Sequence, residues 1–270
     1  MAVNPAVNFI PFVFPGVPCV RCAFQIRTGP DSPSCLDDPW QGGNISFSVG
    51  DEPGRVAACR TALAKALGLE APGADTHGLA EADQVHGDAL LFEPSPVRPG
   101  LSPDGVPSLS GLPKGDGLAT TRPGVGLMIK TADCQPVLLA HAGGRHVAAL
   151  HVGWRGNRIG FIPSAVRAFC SRYDLRPGDL SAVRGPSLGP SRSEFVNFDQ
   201  EWGPDFESWY DKNSRTMNLW RLTGDQLREA GLAEERIFGL DLCTASLDAF
   251  FSYRRQRVTG RQASVIFIEP

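Results

Sequence analysis

The chain has 270 residues, 42% of them hydrophobic and 20% charged, and its 26 basic and 29 acidic side chains leave a formal net charge of −3. Without a long basic run it offers no electrostatic footprint for nucleic acid, and no stretch approaches the ~20 uninterrupted apolar residues of a membrane span. Seven cysteines, an odd number, fit a reduced cytoplasmic setting better than a disulfide framework.

Residues 1–15 are apolar but carry three prolines and no basic n-region, which argues against a signal peptide. Residues 1–45, rich in Pro, Gly and Ser, predict strands joined by turns. Cys19, Cys22 and Cys35 lie there and are read as packed thiols, because a lone Cys-x-x-Cys lacks the second pair of a zinc ribbon. Residues 44–51 alternate like a strand. Asp51 is the expected N-cap of a helix with Pro53 in its first turn, Val56, Cys59, Leu63 and Leu67 on one face, and Gly68 as its stop.

Residues 71–80 predict a turn, and residues 82–86 a short strand that delivers His86. Residues 93–115, full of Pro and Ser and without periodicity, predict an exposed loop. Three strands follow at 125–130, 135–141 and 146–151, the last two joined by a turn at 142–145. Gly153 to Gly156 breaks the pattern, and Ile159, Ile162, Val166 and Phe169 mark a helix. A third helix spans 218–230, with Leu219, Leu222 and Leu227 apolar and Gly231 as its stop, and closing strands are expected at 236–243 and 263–269. No internal repeat and no long linker divide the chain. A single α+β domain over 1–270 is the economical reading.

The chemistry concentrates at strand ends. Cys134 sits between Asp133 and Pro136, at a strand break where functional side chains are presented. A thiolate there needs a neighbouring cation or a metal. His151 ends a strand 17 residues later, and His86 lies in a small-residue turn upstream. Each is followed by glycine, at once or two residues on, which lets backbone and substrate approach closely. His77, His141 and His146 are read as satisfied core or surface residues. One thiolate and two imidazoles form a three-ligand zinc site with an open fourth position, or else a metal-free nucleophile–base pair; at this level both stand. Arg155, next to Trp154, reads either as a surface arginine stacked on tryptophan or as a guanidinium that binds phosphate or carboxylate bidentately. Tyr253 and Arg254 belong to a second cluster of planar cations, interleaved with Phe250 and Phe251 and followed by Arg261.

Five motifs occur together: Gln84-Val85-His86-Gly87, Thr131-Ala132-Asp133-Cys134, His151-Val152-Gly153-Trp154-Arg155-Gly156, Gly185-Pro186-Ser187-Leu188-Gly189-Pro190, and Phe251-Ser252-Tyr253-Arg254-Arg255 with Thr259-Gly260-Arg261. In this order the chain resembles the YfiH-type family, also called the laccase-domain or multicopper polyphenol oxidoreductase family, which includes purine nucleoside phosphorylases. The resemblance runs from about Gly42 to the C-terminus. It implies mixed sheets packed with helices on the outer faces, in a fold similar to a toxin deamidase that uses a cysteine–histidine pair. It further implies a zinc on His86, Cys134 and His151, and action on purine nucleosides with phosphate: phosphorolysis of adenosine, inosine or methylthioadenosine, and adenosine deamination. Copper-dependent polyphenol oxidation is claimed for some members.

Departures from the family pattern shape the expectation. Ser191 stands where the family usually has a cysteine, which removes a soft ligand and weakens the copper reading. Ser48 replaces a common histidine and Val152 an alanine, while Gln135 and Lys130 replace common apolar residues. The leading expectation is a zinc enzyme with Cys134, His151 and Arg155 catalytic and Arg155, Tyr253 and Arg254 on substrate. Its rivals are a metal-free Cys–His hydrolase or amidase, a copper polyphenol oxidase, and a non-catalytic zinc-binding protein.

Overall fold

The structure, a computed structural model, describes residues 7–27, 38–70, 77–97 and 111–270. In chain order the elements are β1 (Asn8–Val13), β2 (Val20–Ile26), α1 (Pro53–Ala66), β3 (Gly78–Ala80), β4 (Leu90–Phe92), β5 (Gly117–Thr120), β6 (Val125–Thr131), β7 (Gln135–His141) and β8 (Val147–Val152). There follow α2 (Trp154–Arg158), α3 (Phe161–Tyr173), β9 (Leu180–Arg184), α4 (Phe198–Glu201), β10 (Tyr210–Asp211), β11 (Thr216–Met217), α5 (Leu219–Glu229), β12 (Ile237–Gly239) and β13 (Gln262–Ile268).

Two mixed sheets carry the fold. One is ordered β1-β2-β13-β6-β3 and the other β12-β9-β7-β8-β5-β4, with only the β3–β6, β4–β5 and β9–β12 pairs parallel. The period-2 alternation of strand side chains explains the layering. Leu138 and Ala140 of β7 and Val147 and Ala149 of β8 meet Leu127 and Ile129 of β6 and Ile266 of β13 between the sheets. The alternate residues, Val137, Leu139, Ala148 and Leu150, face Phe161, Val166 and Phe169 of α3 and Leu227 of α5. On the far side Met128, Val265 and Phe267 pack on Cys59 and Leu63 of α1. The result is helix, sheet, sheet, helix, the mixed α+β class with helices on the outer faces. Both central strands are buried on both faces, which is why they read as unbroken apolar runs. No described helix is long and apolar enough to cross a membrane.

Several local expectations need correction. Residues 44–51 form turns, not a strand, because the Asn44 amide bonds Ser46 N–H and Ser46 C=O and reaches the Asp51 carboxylate. The N-cap of α1 is Glu52, whose carboxylate accepts from Gly54 and Arg55 N–H at 2.8 and 2.7 Å; Asp51 is engaged by the Arg55 side chain. Residues 82–86 are not a strand either. The Gln84 side chain takes the backbone's place there, accepting from Lys130 N–H and donating to Lys130 C=O, each at 2.9 Å. Residues 78–80 form β3 where a turn was expected, and 71–76 lie outside the described residues. The described ends of the 93–115 loop have no helix or strand but are mostly half-buried at 93–97, with Glu93 accepting from Thr120, Thr121 and Tyr173 hydroxyls. The helix after Gly153 is split: Gly160 at φ 72 separates α2 from α3, and Ile159 is left exposed. The strand expected at 236–243 is only β12, whereas β13 and α5 run within about a residue of expectation.

Candidate metal centre and its cavity

β6 belongs to one sheet and β7 to the other, so the chain must cross between them within Ala132, Asp133 and Cys134. Asp133 makes the crossing at φ 93, a left-handed conformation that a non-glycine residue adopts only when its surroundings impose it. Its carboxylate accepts from the Thr244 hydroxyl at 2.7 Å and from Arg254 N–H at 2.6 Å, and its carbonyl accepts from Leu188 N–H at 2.9 Å. Those bonds fix the half-buried Cys134 at the mouth of β7. His151, 4% exposed, arrives from the neighbouring strand β8.

His86 comes from a loop held by one carboxylate. The backbone N–H groups of Val85, His86 and Gly87 all donate to Asp116, at 3.2, 3.0 and 2.7 Å. The same buried carboxylate lies 2.7 Å from His151 Nδ1. Asp116 thus orients both histidines, in the manner of the carboxylates that back metal-bound imidazoles. Sequence reasoning passed over it because its partners lie 29 to 35 residues away; the only local signal is an acid set between Gly115 and Gly117.

The three sequence-predicted ligands come together. One donor atom each from His86, Cys134 and His151 lies within 4.8 Å of the others, with Cys134 Sγ 3.6 Å from His86 Nε2 and the two rings edge to face at 4.7 Å. Gly153 is required beside them: a Cβ there would meet His86 Cδ2 at 2.9 Å and Cys134 Sγ at 3.1 Å. Burial opposes charge on both Cys134 and His151. Even so, the His151 field and the hydrogen bonds from both histidines bring the Cys134 thiol down to about 6, while the Cys134 thiolate and Asp116 push His151 up to about 9. Asp116 stays ionised against its burial through His151 and the backbone donors.

The donor set fits an ion. One sulfur and two imidazole nitrogens suit zinc or copper, and the observed spacing needs only modest closure to reach the roughly 3.5 Å edge of a tetrahedral shell. Because Asp116 occupies Nδ1 of His151, Nε2 is the atom left to bind. Of the other cysteines, Cys22 is buried in β2 and Cys19 lies against the carbonyl of Gly144, so neither joins the cluster; Cys35 falls outside the described residues.

The cluster opens into a cavity of about 680 Å³. Arg155, Tyr253 and Arg254 all line it. The Arg155 guanidinium stacks on Trp154 at 4.5 Å, as one of its two readings has it, and the residue also lines the cavity. Arg254 is anchored to Asp133 and to the Glu194 carbonyl, and Arg257 covers Tyr253. Ser48, Gln135, Lys130 and Val152, four of the departures noted above, are on the wall; Ser191 is not. Replacing Asp116 by Asn removes the charge behind His151 and weakens the His86 loop. We expect a 10- to 100-fold loss in metal affinity or in kcat/KM. Dialysis against graded chelator followed by metal analysis checks this, and wild-type retention would contradict it.

Comparison with known proteins identifies the family. The family described as multi-copper polyphenol oxidoreductase laccase is matched over residues 21–269. A Xylella fastidiosa protein named purine nucleoside phosphorylase is 32% identical, over 94% of this chain and 95% of its own length. A Shigella flexneri protein named purine nucleoside phosphorylase YfiH is 30% identical, over 85% and 88%. A Neisseria meningitidis crystal structure superimposes with a TM-score of 0.77 at 26% identity, covering 97% of this chain and all of the other. The chain therefore belongs to the family described as multi-copper polyphenol oxidoreductase laccase.

Proposed function

We propose that this chain is one enzyme domain over residues 1–270 that cleaves purine nucleosides with phosphate, with zinc held by His86, Cys134 and His151. The observation that carries the reading is the convergence of those three donors at the floor of an open cavity. The names of the relatives supply the substrate class. When bound, zinc would supply Lewis-acid chemistry at an open coordination position.

The chain's own groups do the rest. Asp116 keeps the His151 ring in one tautomer and orientation. Tyr253 and Arg254 border the substrate, and Arg155, lying on Trp154, extends a planar cation that hydrogen-bonds it. Adenosine, inosine and methylthioadenosine are the substrates to assay, with adenosine deamination as a further activity of the same site. The protein works in the cytoplasm on small molecules.

The test is turnover of adenosine and inosine with phosphate in metal-replete protein, after chelation, and after zinc or copper is restored. Loss on chelation and recovery with zinc is the expected result. A second reading is favoured by one observation: the lowered Cys134 thiol, the raised His151 and Asp116 behind it also form a nucleophile, a base and an orienting carboxylate. Activity that survives chelation but is abolished by alkylating Cys134 would select that reading. Recovery with copper alone would select the oxidase family's metal.

A further inference from the structure

The cavity has two chemically different walls. Elements after β8 supply Trp154, Phe195 and Leu219, an aromatic and apolar surface continuous with a small core under α4 and α5. The first sheet and the loop before α1 supply Ser46, Ser48, Lys130 and Arg261.

Arg261 is a half-buried cation that makes no direct ion pair among the described residues, although the Asp133 carboxylate lies within reach of its field. Its Nη1 donates to the Thr259 and Gly260 carbonyls, each at 2.9 Å, and its Nε and Nη2 have no acceptor among the described residues. Its backbone is fixed as well, because its N–H donates to Asn44 Oδ1 at 2.9 Å. Lys130 adds a second cation, one that shares its carboxylate partner. The fully buried Glu81 binds both Arg60 and Lys130, so one carboxylate faces two cations and the trio keeps a net positive charge. Arg60 is 2% exposed, whereas Lys130 lines the cavity. The hydroxyl of Thr131, which also lines the cavity, is buried without a hydrogen-bond partner among the described residues. Ser46 and Ser48 place two hydroxyls 3.0 Å apart there. A guanidinium with unused donors and a buried hydroxyl without a partner, both lining one cavity, call for an anionic ligand. Of the carboxylates near this wall, Asp83 is exposed and Asp133 is already engaged by the Thr244 hydroxyl and Arg254 N–H. By contrast, the wall of Arg155 carries Glu194 and Glu201, which repel an anion.

We propose that Arg261 and Lys130, with the hydroxyls of Ser46, Ser48 and Thr131, form an oxyanion subsite that takes inorganic phosphate, leaving the purine to the Trp154–Phe195 wall. The assignment rests on the phosphorolysis reading and adds to it which end of the cavity holds each substrate. In that reaction a phosphate oxygen bonds to C1′ as the C1′–N9 bond breaks. The bonding pair leaves with the purine, which takes up the proton that phosphate gives up. Nucleophile and leaving group sit on different sides of the ribose, so a cavity with a cationic wall and an aromatic wall suits the two substrates.

The test compares Arg261→Gln, Arg261→Lys and Arg155→Gln in steady-state assays with inosine and phosphate varied separately. Expected for Arg261→Gln is an increase of about tenfold or more in KM for phosphate, with KM for inosine within about twofold and partial recovery in Arg261→Lys. The same shift in Arg155→Gln but not in Arg261→Gln would overturn the assignment, as would equal changes for both substrates. Calorimetric titration of the holoprotein with inorganic phosphate separates the two readings. Binding by wild type that Arg261→Gln loses, at unchanged thermal midpoint, upholds the subsite even if no nucleoside is cleaved. No phosphate binding by wild type overturns it.

Discussion

Cys134→Ala is expected to lower kcat by about a thousandfold or more, without unfolding the protein. Its sulfur is the sole soft donor of the cluster and, in either reading of the chemistry, a group the reaction cannot replace. It sits half-buried at a strand entrance whose shape is set by bonds to Asp133, not by Cys134 itself, so the fold should tolerate the change. Circular dichroism and thermal midpoint check the second half of that statement, and nucleoside turnover the first. Turnover within about tenfold of wild type would remove the thiol from the account.

Glu81→Ala is expected to have the largest effect on stability. The Glu81 side chain is fully buried, engaged twice by Arg60 and once by Lys130. Arg60 has nowhere else to put its charge: its Nε is used by the Ile45 carbonyl and its guanidinium lies over the Phe47 ring at 4.7 Å. Removing one partner of a buried ion pair typically costs about 3–5 kcal/mol, because the survivor is left charged in a poorly solvating place. Urea unfolding should show that loss, and a loss under about 1 kcal/mol would mean water reaches Arg60. The change also reaches the cavity. Lys130 contributes its backbone to the Gln84 side chain two residues before His86, so loosening it disturbs the loop that presents a ligand.

The legible parts of the fold are those where one residue type and one period decide the outcome. β7 and β8 are unbroken apolar runs because both faces are covered, and α5 has three leucines at helical spacing with Gly231 at φ 96 to end it. Cys134 and His151 were visible for the same reason, since each lies where such a run begins or ends. His86 was recognised but its setting was not. A left-handed residue at φ 60 cannot belong to a strand, and the loop is shaped by Asp116 some 30 residues away.

What failed in the reading is equally physical. The alternation at 44–51 imitates a strand, yet Asn44 bonds its neighbours and prevents the backbone from pairing. Gly160 interrupts an otherwise periodic helix, and nothing in the apolar spacing announces it. β4, β5 and β9 are three to five residues long, and β5 begins with a glycine, so their membership depends on neighbours remote in sequence. Asp116 and the free guanidinium edge of Arg261 were invisible because their meaning lies in partners that the chain reaches only after folding.

The most direct measurement is the metal content of freshly purified protein by plasma emission, taken beside the His86→Ala, Cys134→Ser and His151→Ala variants. The account predicts about one zinc per wild-type chain and a sharp loss in all three variants. A metal-free wild type with full, chelator-insensitive turnover would contradict it.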